Sequence, residues 1–274
     1  MRLGIHLPQF RDAVPGPVLT AAARAAEAGG ADDLWVSDHL LLPVGSRRPP
    51  ELFHDPLTVL TWAAAATERV GLGTSVLVAP YRHPVLIAKA LASLDALSGG
   101  RVIFGVASGW LETEFAVLGA RFDQRGARTD EAIRACRALW SGAVRLEGRW
   151  LRIEGLRLSP PPARPGGPPV WVGGDSDAGL ARAARLGDGW HTTISDPALL
   201  SERLSRLDAL LRSAGRDRSD VTVSVRVRAG AERIGALAPD LRALGVDHVL
   251  VDPPRFDAAT FPAEVARLRA ALDG

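Results

Sequence analysis

The feature that most constrains this chain is a repeat: a short β-branched run, a turn, then an alanine-rich stretch with apolar residues spaced three and four apart. The runs are Arg2–Leu7, Asp33–Asp38, Val70–Val78, Arg101–Ala107, Pro169–Gly174, Asp188–Thr193, Val221–Val227 and His248–Pro253. Eight βα units in 274 residues predict an α/β fold, a (β/α)8 TIM barrel spanning residues 1–274 as one domain. A doubly wound sheet is the competitor. It is disfavoured because no GxGxxG follows the first run, and GLGTSV at Gly71 lacks the third glycine. Helices are predicted over Val18–Ala28, ended by Gly29 and Gly30; from Asp55 and Pro56 through Trp62; and over Pro84–Leu97. Another starts with Thr129 as cap and Asp130 and Glu131 in its first turn. Ala143–Leu158 reads as a hairpin inserted between strands 4 and 5, followed by the stiff surface connection SPPPARPGGPP.

Composition removes whole classes of function. A single cysteine, Cys136, allows no internal disulfide and no cysteine-based zinc site, and suggests a cytoplasmic location. No apolar run reaches the length of a membrane span. The net charge of +2 is spread among intervening acids, which argues against nucleic-acid binding. The sole lysine, Lys89, lies in a predicted helix away from any strand end, so Schiff-base chemistry is excluded. HxH on the first strand, HExxH and GxSxG are absent, which disfavours a hydrolytic metal site or a serine nucleophile, and no metal is expected. A flat-cofactor enzyme acting on a small molecule survives.

In a barrel the chemistry sits at the carboxyl ends of the strands. Strand two ends in Ser37-Asp38-His39; histidine titrates near neutrality, and the adjacent aspartate would orient it, bind a ligand donor, or merely cap the loop. Gly73-Thr74-Ser75-Val76 is a small-residue segment that lets a flat ligand approach, or ordinary strand. Gly105–Trp110 leaves strand four with small residues, and Trp110 either walls a pocket or fills the core. Gly173-Gly174-Asp175-Ser176 precedes a helix whose N-H groups suit a phosphate, although Asp175 and Asp177 also serve as caps. His6 and His191 line the mouth or pack as satisfied core histidines.

With those residues in view, the chain resembles the luciferase-like monooxygenase superfamily, in particular its F420-dependent oxidoreductase branch. The likeness rests on LWVSDH at Leu34, the run from Asp55 to Arg101, GVASGWLETEFAVLG from Gly105, RGARTDEAI from Arg125, and VWVGG with ARLGDGW. It implies a barrel that holds coenzyme F420, or alternatively FMN, and that commonly forms a homodimer. By that resemblance Asp38 and His39 meet the ring or substrate, with His39 the catalytic proton carrier. Ser75 and Val76 form a non-proline cis peptide beneath the ring. Ser108 and Gly109 contact its polar edge or ribityl chain, and Gly173, Gly174, Asp175 and Ser176 hold the phosphate. The chain departs from the pattern where sugar-phosphate dehydrogenases are expected to carry a catalytic glutamate, since Trp110 stands there; Ala107 and Ser108 replace a GxG. The implied reaction is hydride transfer between the deazaflavin C5 and a small organic substrate. The alternatives are an FMN-dependent monooxygenase served by a flavin reductase, and a non-catalytic flavin-binding barrel. The loop from Leu41 to Phe53 and the insertion after Gly126 are expected to close over the substrate, and arginines around the rim to attract the acidic tail of the coenzyme.

Overall fold

The structure is a computed structural model that describes residues 1–10, 14–47, 50, 52–253, 257 and 259–274. Strand β1 (Arg2–His6) leads to α1 (Gly16–Ala28), which buries Leu19, Ala22, Ala23 and Ala26, a single stripe at helical spacing. β2 (Asp33–Val36) follows, then α2 (Pro56–Ala66), whose first turn is capped by Asp55 accepting from the Thr58 amide at 3.0 Å. The run Val70–Val78, expected as one strand, is two: β3 (Gly71–Thr74) and β4 (Leu77–Val78), separated by a cis Ser75–Val76 peptide. α3 (Pro84–Ser98) ends at Gly99, which is left-handed at φ +73° and closes the helix without a Cβ clash.

After β5 (Val102–Ala107) come α4 (Glu112–Val117) and α5 (Arg125–Trp140), then the antiparallel hairpin of β6 (Arg145–Glu147) and β7 (Arg152–Glu154). The barrel resumes with β8 (Val170–Gly173), α6 (Asp177–Leu186), β9 (Gly189–Thr192) and α7 (Pro197–Ser213). It finishes with β10 (Thr222–Val227), α8 (Ala231–Ala243), β11 (His248–Val251) and α9 (Phe261–Asp273).

Among the described residues every barrel pairing is parallel, and β1 pairs with both β2 and β11, which closes the cylinder. β3 bridges to β5, and β5 to β8, so the ring is complete and a doubly wound sheet is ruled out. The main core lies between strands and helices. Inside the barrel Trp35, Ile103, Trp171 and Leu250 form a separate cluster. Glycines make room for the indoles: a Cβ on Gly73 would lie 2.4 Å from Trp35, and one on Gly189 2.6 Å from Trp171.

Two expectations are corrected. Thr129 is not a cap: α5 begins four residues earlier, directly from the turn Phe122–Gln124, and buried Thr129 donates its hydroxyl to the Arg125 carbonyl at 2.8 Å. Its neighbours brace other elements, Asp130 pairing with Arg182 and Arg185 of α6, and Glu131 accepting from the amides of Arg149 and Trp150. Nor does the chain after Gly126 close over the mouth, because α5 buries Ala132, Ile133, Ala135, Cys136 and Leu139 in the outer wall. The expected closing loop Leu41–Phe53 falls partly outside the described residues, at 48, 49 and 51.

Candidate active site

At the carboxyl ends of the strands a cavity of about 460 Å³ is lined from several strand tips and the start of α5, including Asp38, His39, Ser75, Val76, Ser108, Gly109, Trp110, Gly173–Ser176 and His191. A larger hollow of about 670 Å³ between α1 and α2 lies on the outer wall, far from the strand ends, and among the described residues Arg24 is the one charged side chain lining it. The mouth cavity is therefore the site to which the sequence motifs point.

His39 is oriented by a residue of the GVASGWLETEFAVLG run to which the sequence motifs assign no role. Its Nδ1 lies 2.8 Å from Oε2 of Glu114 in α4, a carboxylate that also accepts from the Tyr81 hydroxyl at 2.9 Å and the amides of Leu40 and Leu41 at 2.7 and 3.1 Å. Burial alone would raise the Glu114 carboxyl, but these backbone donors and His39 outweigh it and hold it below the usual range. An ionised Glu114 requires the proton on Nδ1 of His39, so Nε2, which has no hydrogen-bond partner among the described residues, is the nitrogen left for a ligand. Burial and then the Glu114 charge push the Tyr81 phenol up, keeping it a donor.

Asp38 does not orient His39. Its carboxylate takes a bidentate pair from Arg82 at 2.6 and 2.9 Å and the Val78 amide at 2.8 Å. Burial pushes the Asp38 carboxyl up, Arg82 opposes this, and in return the pair holds the Arg82 guanidinium strongly charged. Asp38 thus anchors the segment after β4 against the strand-two tip and reaches the cavity as a lining residue only.

The floor is polar. Ser75 Oγ lies 2.8 Å from Nε2 of His191, and Nη1 of Arg226 donates to Ser37 Oγ, the Ser75 carbonyl and Ser75 Oγ at 2.9, 3.1 and 3.2 Å. Burial, reinforced by His248, Arg226 and His6, pushes the His191 imidazole well below its ordinary range, so it is neutral. His6 is buried beneath the floor rather than lining it; its Nδ1 donates to the Leu7 carbonyl at 2.8 Å and its Nε2 lies 2.8 Å from Ser37 Oγ.

Where the cavity meets the start of α6 the acids are already engaged. Asp175 accepts from the hydroxyls of Thr192 and Thr193, and Asp177 pairs with Arg203 and Arg206. Ser176 caps α6 by accepting from the Gly179 amide at 3.2 Å. What remains is a helix N-terminus facing Arg125, a second residue the sequence did not single out, whose guanidinium stacks 3.9 Å over the Phe122 ring and has no carboxylate partner among the described residues. On the His39 side the wall is aromatic: Trp110, 62% exposed, lies edge-on at 6.0 Å from the imidazole, and Phe53 at 5.4 Å.

Residues 1–234 match the sequence profile of the family described as luciferase-like monooxygenase. The chain belongs to the luciferase-like monooxygenase family. Within the family it is similar to an F420-dependent hydroxymycolic acid dehydrogenase of Mycobacterium tuberculosis, 34% identical over 232 residues, 81% of this chain and 62% of that protein. It is 37% identical over 186 residues to an F420-dependent glucose-6-phosphate dehydrogenase of Amycolatopsis mediterranei, covering 65% of this chain and 54% of that one. The solved structure of an F420-dependent secondary alcohol dehydrogenase in complex with an F420–acetone adduct superposes with a TM-score of 0.82 over 99% of this chain and 98% of that chain, at 19% identity, which shows the shared barrel. Like its relatives, this luciferase-like protein is an oxidoreductase. Among the described residues no helix is long and apolar enough to cross a membrane, and no cluster of metal-ligating side chains occurs.

Proposed function

We propose that the chain is an F420-dependent oxidoreductase that moves a hydride between the deazaflavin C5 and a small organic substrate, with His39 carrying the accompanying proton, and that it works as a homodimer. The observation that carries the reading is that one cavity is lined both by an imidazole backed by a buried carboxylate and by a helix start with an arginine that has no carboxylate partner among the described residues. The residues between fit a flat ring. Val76, joined to Ser75 by the cis peptide, stands on the cavity wall, and the glycines that share the lining are packed closely on it and its neighbours, a Cβ on Gly109 lying 2.6 Å from Val78 and one on Gly173 2.9 Å from Val76, so the wall there carries no further side chain.

In this reading Arg125 and the first-turn amides of α6, with Gly173, Gly174, Asp175 and Ser176 shaping the turn, hold the phosphate of the cofactor, while Ser75, Val76, Ser108 and Gly109 bound its ring. When bound, the deazaflavin supplies hydride chemistry at C5. His39 Nε2 takes the hydroxyl proton of an alcohol, or returns it to a carbonyl oxygen, and Glu114 stabilises the imidazolium that forms. Tyr81 keeps Glu114 in place, and Trp110 and Phe53 exclude water from the substrate side. An aromatic wall where sugar-phosphate dehydrogenases are expected to carry a glutamate favours an uncharged alcohol or ketone over a sugar phosphate.

Titration of the purified protein with F420 and with FMN, followed by fluorescence quenching, tests the cofactor. Tighter binding of F420 is expected; micromolar preference for FMN would overturn the choice in favour of a monooxygenase supplied by a flavin reductase. His39→Ala is expected to spare F420 binding and depress turnover, whereas a storage barrel has no turnover to lose.

A further inference from the structure

Barrel interiors are normally filled by layers of branched apolar side chains. Here a row of polar groups crosses neighbouring strands beside the apolar cluster of Trp35, Ile103, Trp171 and Leu250. From the cavity floor, Ser75 Oγ lies 2.8 Å from His191 Nε2, His191 Nδ1 lies 2.8 Å from Ser224 Oγ, and Ser224 Oγ lies 2.6 Å from His248 Nδ1. His248 Nε2 is then 3.3 Å from Oδ2 of Asp33, both side chains fully buried, and Oδ1 of Asp33 accepts from Arg2 at 2.6 Å on the outer face of the barrel base. Those two facing atoms, His248 Nε2 and Asp33 Oδ2, make no aligned hydrogen bond, so a small turn of the imidazole separates contact from transfer.

The two ends fix the direction of every proton in the row. Arg226 at the top can only donate, and it donates to Ser75 Oγ at 3.2 Å. Of the two groups that meet Ser75 Oγ among the described residues, Arg226 and His191 Nε2, only the imidazole nitrogen can accept, so the arrangement that uses the Ser75 hydrogen sends it to Nε2 and leaves the neutral His191 with its proton on Nδ1. That proton points at Ser224, whose hydroxyl donates onward to Nδ1 of His248. His248 then carries its proton on Nε2, facing a carboxylate that can only accept. The opposite polarity would turn the lone pair of His248 toward the Asp33 oxygen and leave the Ser75 hydrogen without an acceptor among the described residues.

We propose that Ser75, His191, Ser224, His248 and Asp33 form a polarised proton relay that drains the cavity floor toward the base of the barrel. A proton released by a ligand lands on Ser75 Oγ; the Ser75 proton passes to His191 Nε2, the Nδ1 proton to Ser224, the Ser224 proton to His248 Nδ1, and the Nε2 proton to Asp33. One proton enters and one arrives on the carboxylate, both histidines end in the other neutral tautomer, and no electron moves. The relay's use in turnover rests on the redox function proposed for the cavity, serving the proton that the cofactor gains or loses with hydride while His39 serves the substrate. Its existence does not depend on that function.

Nitrogen-15 NMR of histidine-labelled protein without cofactor is the direct test. His191 protonated on Nδ1 and His248 on Nε2 are expected; His191 protonated on Nε2, or either ring cationic, would overturn the relay. Ser224→Ala removes two links and is expected to slow exchange of both ring protons with deuterated solvent at least about tenfold, and Ser224→Thr to restore it. Unchanged exchange in a Ser224→Ala protein with wild-type circular dichroism would equally defeat the proposal. With F420 and a ketone, the bowed dependence of rate on deuterium fraction expected for several moving protons should become linear in Ser224→Ala. Absence of any F420 turnover would sink the redox function while the tautomers and exchange rates still decide whether the relay exists.

Discussion

At Glu114 four donors meet one buried carboxylate, so an isosteric change of charge isolates what it does for His39. Glu114→Gln turns an acceptor into a group that must aim an N–H at one of those donors, and it frees His39 to place its proton on either nitrogen. A fall in kcat of about 100-fold with little change in KM is expected, the signature of lost transition-state proton handling rather than lost binding. The same carboxylate sets an acid limit. Its folded-state pKa is lowered from 4.5, so the unfolded chain binds more protons between the two values, and the stabilisation is complete above about 4.5 and lost as pH falls through the folded value. Urea midpoints measured at about pH 6 and about pH 3 should therefore drop further for the wild type than for Glu114→Gln. His39 is legible in the sequence through its place at a strand end, but its orientation there points to Asp38, the nearest carboxylate along the chain. Chain proximity misleads because adjacent strand-end side chains diverge, and Asp38 turns to Arg82 while the partner of His39 arrives 75 residues later.

Among the elements, most barrel strands are legible because they carry a short apolar or β-branched run bounded by turns, and that local signal agrees with parallel, largely buried pairing. α4 is not, since six residues with two acids have no helical periodicity; its helix is set by where Glu114 and Phe115 are buried. Arg125 is hidden for a similar reason, being one arginine among many until α5 places it in the cavity lining. The glycines inside strands suggest room for a ligand, yet Gly73 and Gly189 make room for indoles of neighbouring strands. Gly73→Ala, with its new methyl 2.4 Å from the buried Trp35 ring, should cost about 1–3 kcal/mol through overpacking, read as a lower urea midpoint at unchanged slope. Ser176→Ala, which removes the cap of α6, should cost about 1 kcal/mol in the same measurement and also weaken cofactor binding by loosening the helix start beside Arg125.

For the whole molecule, the outer ring of helices is uneven in charge, and that asymmetry argues for a second copy. α2 carries no charged residue, and α3 carries only Lys89 and Asp95, the latter buried and accepting from the Val102 and Arg164 amides. A helix facing solvent normally presents charge on its outer side, as α5 and α7 do here. On these two neighbouring helices the outward positions include Trp62, Leu86 and Leu97, exposed by 50%, 65% and 81%. Covering them against the same face of another chain would satisfy both copies through one isologous contact, leaving each barrel mouth complete within its own chain. Sedimentation of the wild type should then give twice 29.0 kDa, and Trp62→Arg, which sets a charge on the face, should shift the protein to 29.0 kDa with its circular dichroism unchanged. A wild type that sediments at 29.0 kDa, or a variant that stays paired, would remove α2 and α3 as the contact.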